Sequence, residues 1–366
     1  MTLKLKAALA AMSIFAFAGS AAAEGELNIY NWGDYTSPEL IKKFEDTYKV
    51  KVTITDYDSN DTALAKVRAG GHGFDIVVPS ANYVPIWVKE GLLLEARPDQ
   101  MENFKNVDER WVDVPWDPGR HYTVPWQWGL TGIGVNKKVY SGDANTSAIF
   151  LDPPAELVGK INVAPEMNDV LFATIKYFGG EWCTDDKELL KKVRDKLVEA
   201  KPKWLAMDYS VTEKLPAGDY SAVYYWNGAI MRSRLANPDI AIGYPKEGFP
   251  FFMDSIAILK DAKNTENAKL FMNFIMEPEN AALISAFAKY ANGIKGSEQF
   301  MPAEMKDAPE LVIPAEFQGA GEFLTTCAPE VSELYTRIWT DVQTFSLKRW
   351  FPSFFKQAKP CENKFF

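Results

Sequence analysis

The chain has 366 residues, of which 47% are hydrophobic and 13% aromatic, and its formal net charge is −9. Such a composition suits a globular protein with a substantial core, and the acidic balance disfavours nucleic acid and anionic lipid surfaces as partners. A cationic ligand is compatible with it.

At the start, Lys4 and Lys6 precede an apolar run from Ala7 to Ala18 and small residues ending Ala21-Ala22-Ala23. This is the pattern of a secretory signal segment with an A-x-A cleavage site, so residues 1–23 are expected to be removed and the mature chain to begin near Glu24. The run is shorter than the roughly 20 apolar residues a membrane-spanning helix needs. Losing Lys4 and Lys6 takes the formal charge from −9 to −11. About 343 residues remain, enough for two domains.

Leu27-Asn28-Ile29-Tyr30 alternates as a strand and runs straight into Asn31-Trp32-Gly33-Asp34-Tyr35. Thr36-Ser37-Pro38-Glu39 reads as a capping box with an early proline, followed by Leu40, Ile41 and Phe44 at helical spacing. Val50, Val52 and Ile54 predict a second strand, and Thr62 to Arg68 a helix ending at a glycine cluster. Asp75-Ile76-Val77-Val78-Pro79 is a continuous apolar run, as expected of a strand buried on both faces. The alternation of strands and helices predicts a parallel sheet flanked by helices.

The same pattern recurs further on. Ile133-Gly134-Val135, Ile161-Asn162-Val163, Ala222 to Trp226 and Phe251 to Leu259 read as strands; Asp169 to Tyr177, Leu189 to Glu199 and Thr265 to Met276 read as helices. Three cysteines in an exported chain allow one disulfide, and the expected pair is Cys327 with Cys361. His72 lies in a glycine turn and His121 follows a Pro/Gly loop, so both are expected to be structural.

Ligands of open α/β sheets bind beside the carboxyl ends of the strands. Here those ends carry aromatics together with carboxylates, hydroxyls or an amide: Trp32-Gly33-Asp34-Tyr35, Ser80 with Tyr83, Trp226-Asn227, and Phe252-Met253-Asp254. Carboxylates offset the desolvation of ammonium groups, and flat aromatic faces wall methylenes while attracting cations. This lining suits a linear polycation and needs no nucleophile, metal or cofactor. The chain has no G-x-S-x-G elbow, P-loop or H-E-x-x-H. Glu166 and Asp169 could form a glycosidase-type pair, but acids three apart at a helix start more commonly serve the helix dipole.

Asn31-Trp32-Gly33-Asp34-Tyr35, Val77 to Tyr83, Trp226-Asn227-Gly228, Pro245-Lys246-Glu247-Gly248 and Phe252-Met253-Asp254-Ser255 occur in this order. From about Glu26 to about Val342 the chain resembles the periplasmic spermidine/putrescine-binding proteins of ABC transporters. The resemblance implies a type II periplasmic-binding fold: two α/β lobes closing on ligand about a hinge, with crossings near Gly129–Gly134 and Phe249–Asp254. Lobe 1 would comprise 24–131 and 254–310, lobe 2 would comprise 132–253 and 311–343, and 344–366 would form an atypical tail. It further implies a periplasmic monomer that delivers a polyamine to membrane permease subunits, without catalysis. Carried over by position, Trp32 and Tyr35 would wall the methylene chain beside Asp34, with Ser80 and Tyr83 bonding one end. Trp226 and Phe252 would form the opposite walls, Asp254 would hold an ammonium, and Tyr290 would close the pocket. Asp169 and Glu166 complete four carboxylates, which favours a third ammonium and hence spermidine. Proteins of this fold also bind opines and other amino-acid conjugates, which would require a cleft-facing cation; Lys289, beside Tyr290, is the candidate. Carboxylates of ordinary pKa would make binding fail below about pH 4.

Overall fold

The computed structural model describes residues 25–350, with side chains as far as Thr344. The signal segment, the end of the tail and Cys361 lie outside the described residues.

The first strand, β1 (Gly25–Trp32), buries Leu27 and Ile29 and leads into the helix Pro38–Tyr48. Ser37, rather than Thr36, caps that helix, its hydroxyl accepting from the Leu40 amide. Pro38 occupies the first turn, where a missing N–H is harmless. Leu40 and Phe44, one turn apart, are its buried face. β2 (Val50–Tyr57) pairs parallel to β1, and Ser59 caps the helix Asn60–Arg68. β3 (Ile76–Val77) lies fully buried on the other side of β1.

β4 (Thr123–Asn136) is the longest strand, and it changes partner midway. From Thr123 to Leu130 it runs antiparallel to β8 (Phe249–Ile258). From Thr131 onward it pairs antiparallel to β6 (Ala222–Trp226), and from Ile133 also to β7 (Ile240–Gly243). β5 (Ile161–Val163) pairs parallel to β6, and β9 (Gly321–Phe323) to β8. The resulting order is β2-β1-β3-β8-β4-β6-β5, with β7 and β9 off the path.

The sheet is therefore mixed, not wholly parallel as predicted. Parallel pairs form where a helix crosses between the strands, as parallel pairing requires. β4 and β8 run antiparallel to each other, β4 to β6 and β7 and β8 to β3, and they join the two halves. The fold remains α/β.

Period-two alternation in β6 assigns the core. Ala222 and Tyr224 face a cluster that includes Leu171, Leu197 and Trp339, while Val223 and Tyr225 pack into the cluster holding Trp32 and Met253. The closing helix Pro329–Trp350 continues through the residues assigned by sequence to the start of the tail.

A disulfide joins Cys183 to Cys327, with Cα atoms 5.2 Å apart, correcting the pairing with Cys361. Sequence distance misled here. Pairing of β9 to β8 carries the strap 324–328 back beside the loop that holds Cys183, where the Trp182 indole donates to the Thr325 carbonyl.

Candidate ligand-binding site

Two residues after β1, Asp34 adopts a left-handed backbone, φ 54°, and turns the chain across the strand ends. The Asn31 amide braces this turn by donating to the Thr36 hydroxyl. Trp32 is anchored at its edge: its Nε1 donates to the Val78 carbonyl at the end of β3. Its face is left for the cleft, 6.0 Å between centroids from Trp226.

Asp254, on β8, is buried. The Ser80 hydroxyl donates to its Oδ1 at 2.6 Å, and the Tyr35 hydroxyl donates to its Oδ2 at 2.9 Å. Asn60 positions Ser80, accepting from its amide and donating to its hydroxyl. Asp169 comes from the opposite half of the sheet, in the first turn of the helix Met167–Tyr177, where the dipole favours an anion. Its Oδ2 accepts from the Thr131 hydroxyl at 2.6 Å and the Trp226 indole at 2.9 Å.

Burial disfavours the charged form of each of these acids. It pushes Asp254 up to about 7, against the hydrogen bonds from Ser80 and Tyr35, with the Asp169 charge adding to the rise. It pushes Asp169 up to about 6, opposed by Thr131 and Trp226. Glu166, the N-cap of the same helix, is driven well above the carboxylate range by burial, then by the charges of Asp169 and Asp61. Desolvated acids facing one cavity await a counter-charge.

These residues line one cleft, part of it open to solvent. Of the residues singled out by sequence, Trp32, Asp34, Tyr35, Ser80, Glu166, Asp169, Trp226, Phe252, Asp254 and Tyr290 all border it. Tyr83 is the correction. Its hydroxyl is turned to Asp61 and Asn168, so it supports the lining from behind. Lys289 is also displaced from the role considered for it, pairing with Glu304 at 3.1 Å.

Sequence reasoning missed Tyr209, Tyr225 and, above all, Arg232. Tyr209 sits in a loop, where no periodicity marks it, and its hydroxyl donates to the Gly33 carbonyl across the cleft. Arg232 had a readable signal: Trp226, Ala229 and Arg232 recur at the three-residue spacing that puts them on one face of the helix Asn227–Ala236. Gly129, where β4 passes beneath the site, is required for space: an added Cβ would collide with Asn227 Oδ1 and the Phe252 ring.

A cleft between two sheet halves, closed by contacts from both, is the architecture of a solute-binding protein. The family model for bacterial extracellular solute-binding proteins matches residues 39–313, and the chain belongs to that family. The spermidine/putrescine-binding periplasmic protein of Escherichia coli is 30% identical over 299 residues, covering 81% of this chain and 86% of that one. The putrescine-binding periplasmic protein PotF of the same species is 29% identical over 359 residues, covering 92% and 95%. Among solved structures, the TpPotD lipoprotein of Treponema pallidum superposes with a TM-score of 0.75 at 26% identity, covering 87% of this chain and 99% of that one. The fold is that of periplasmic solute-binding proteins.

Proposed function

We propose that this chain is the periplasmic substrate-binding component of an ABC importer and that it captures a polyamine. The observation carrying this reading is the pair Asp254 and Asp169. They are buried carboxylates from opposite halves of the sheet, aimed into one aromatic-walled cleft. Two ammonium groups joined by methylenes would neutralise both acids while Trp32, Trp226, Phe252 and Tyr290 cover the chain between them. The relatives' names point the same way.

In this reading residues 1–23 direct export, 24–131 with 254–310 form one lobe, and 132–253 with 311–343 form the other. The lobes open and close about the two crossings, β4 near Gly129–Gly134 and β8 near Phe249–Asp254. Ligand contacts from both lobes exist only in the closed form, so ligand shifts the population toward closure. The closed protein, a monomer, then presents its cargo to the permease. No bond is made or broken.

A second reading, a binder of an opine-like amino-acid conjugate, is favoured by Arg232, a cation able to pair with a ligand carboxylate. Calorimetric titration of protein stripped of ligand by unfolding and refolding separates the two. The expected result is stoichiometric binding of putrescine or spermidine. Binding of a zwitterionic conjugate with no response to either polyamine would overturn the polyamine reading and leave the fold untouched.

A further inference from the structure

The cleft holds four carboxylates but also one guanidinium, and the two outermost charges face each other. Arg232 Nη1 donates to the Asp34 backbone carbonyl at 3.1 Å and lies 3.9 Å from Asp34 Oδ2. The arginine side chain is largely enclosed, 21% exposed, while Asp34 stands at the mouth, 53% exposed. Among the described residues, the buried Arg232 Nε finds no hydrogen-bond partner. The Thr212 hydroxyl also donates to Asp34 Oδ2, at 3.3 Å, from the same side as the arginine.

We propose, on the polyamine reading above, that Arg232 sets how many ammonium groups the cleft accepts: by occupying Asp34 it leaves Asp254 and Asp169 as the ammonium sites and selects a diamine over a triamine. A guanidinium beside Asp34 acts twice. It neutralises the carboxylate that a third ammonium would use, and it repels an ammonium arriving there, a like-charge contact that strongly disfavours the wrong ligand. Glu166 does not replace Asp34. One of its oxygens accepts from the Asn60 amide at 3.4 Å, and burial, then the charges of Asp169 and Asp61, oppose its ionisation. Counting carboxylates favours spermidine; pairing them off leaves room for putrescine.

The test is calorimetric titration of putrescine, spermidine and gamma-aminobutyrate into the refolded full-length mature protein and into Arg232→Met, Asp34→Asn and the double variant, with thermal melts to verify folding. Arg232→Gln serves as the second variant should Arg232→Met not fold. The wild type should prefer putrescine by about tenfold or more. Arg232→Met should move the spermidine-to-putrescine affinity ratio by about tenfold toward spermidine, and adding Asp34→Asn should cancel that gain, because the two residues act as a pair. If both polyamines bind and the ratio does not move in either arginine variant, the role given to Arg232 is wrong while the polyamine reading stands. If no polyamine binds, that reading fails first. Tight binding of gamma-aminobutyrate that disappears in Arg232→Met would make Arg232 a carboxylate receptor and overturn the proposal.

Discussion

Ser80 and Asp254 are joined twice: their backbones form an antiparallel bridge, and the Ser80 hydroxyl donates to the Asp254 carboxylate at 2.6 Å. The bridge ties the end of β3 to β8 and fixes where the carboxylate points, while Tyr35 holds its other oxygen. Replacing Asp254 by Asn keeps the shape and an acceptor but removes the charge. Breaking a buried ion pair costs about 3–5 kcal/mol, so polyamine affinity should fall by about two orders of magnitude or more. The melting temperature of the empty protein should be unchanged or higher, since a desolvated acid is gone. Calorimetry and thermal melts check both; near-normal affinity would show that Asp254 holds no ammonium.

The same burial predicts a pH dependence. Asp254 is pushed up to about 7 and Asp169 up to about 6. An ammonium ligand needs both acids ionised, so affinity should rise from about pH 5 to about pH 8, and binding near neutrality should release protons. Titrations in two buffers of different ionisation enthalpy measure that release directly. For folding the sign is opposite. A carboxyl whose folded pKa is raised contributes stability that is complete below its unfolded pKa and is lost as pH rises through the folded value. The melting temperature of the empty protein should therefore decline from about pH 4 to about pH 7, and ligand should reverse the decline. The loss of binding expected near pH 4 from unperturbed acids is moved upward by desolvation. Affinity that stayed flat down to pH 4 would mean the acids are not part of the site.

Strands and helices with a period were legible in the sequence: Leu27 to Tyr30, the continuous run around Ile76, and Leu40 with Phe44 all appear where the pattern put them. Residues at strand ends were legible for the same reason, because the fold class places ligands there. What periodicity cannot carry is pairing across sequence. Nothing in the spacing of Cys183, Cys327 and Cys361 says that β9 brings Cys327 home to Cys183. The mixed direction of the sheet, likewise, depends on how β4 returns after the irregular stretch between Lys89 and Thr123, and on which strands β8 then pairs with. Tyr83 follows Ser80 at a strand end, where this fold class puts ligands. The turn after β3 rotates its hydroxyl away toward Asp61. Arg232 lies at no strand end; it continues the helical face that Trp226 begins.

The strap before the last helix is held from both sides. The Thr326 hydroxyl donates to the Asn82 carbonyl, Leu324 borders the cleft, and Cys327 is bonded to Cys183. Removing the disulfide by Cys183→Ser with Cys327→Ser should destabilise the protein by about 2–4 kcal/mol, since the bridge closes a long loop in the unfolded chain. Denaturant unfolding with and without reductant measures it. Reductant should lower the wild-type midpoint and leave the double-serine variant unmoved. A wild-type midpoint insensitive to reductant would show that this bridge does not constrain the chain.

Trp226 has two functions that a conservative change can separate. Its ring walls the cleft, and its indole N–H donates to Asp169 Oδ2, stabilising the charged acid. Trp226→Phe keeps most of the wall and removes the donor. Without that bond the Asp169 carboxyl rises further, because a hydrogen bond to the charged form is lost. Polyamine affinity should then fall by about tenfold at neutral pH, in line with the worth of a charge-assisted hydrogen bond. It should recover partly toward about pH 8, where the acid ionises regardless. Trp226→Ala removes the wall as well, so its loss should be larger and persist at high pH. Affinity measured across pH for the two variants distinguishes the functions. A Trp226→Phe loss that is the same at every pH would assign Trp226 to packing against the ligand and leave Asp169 independent of it.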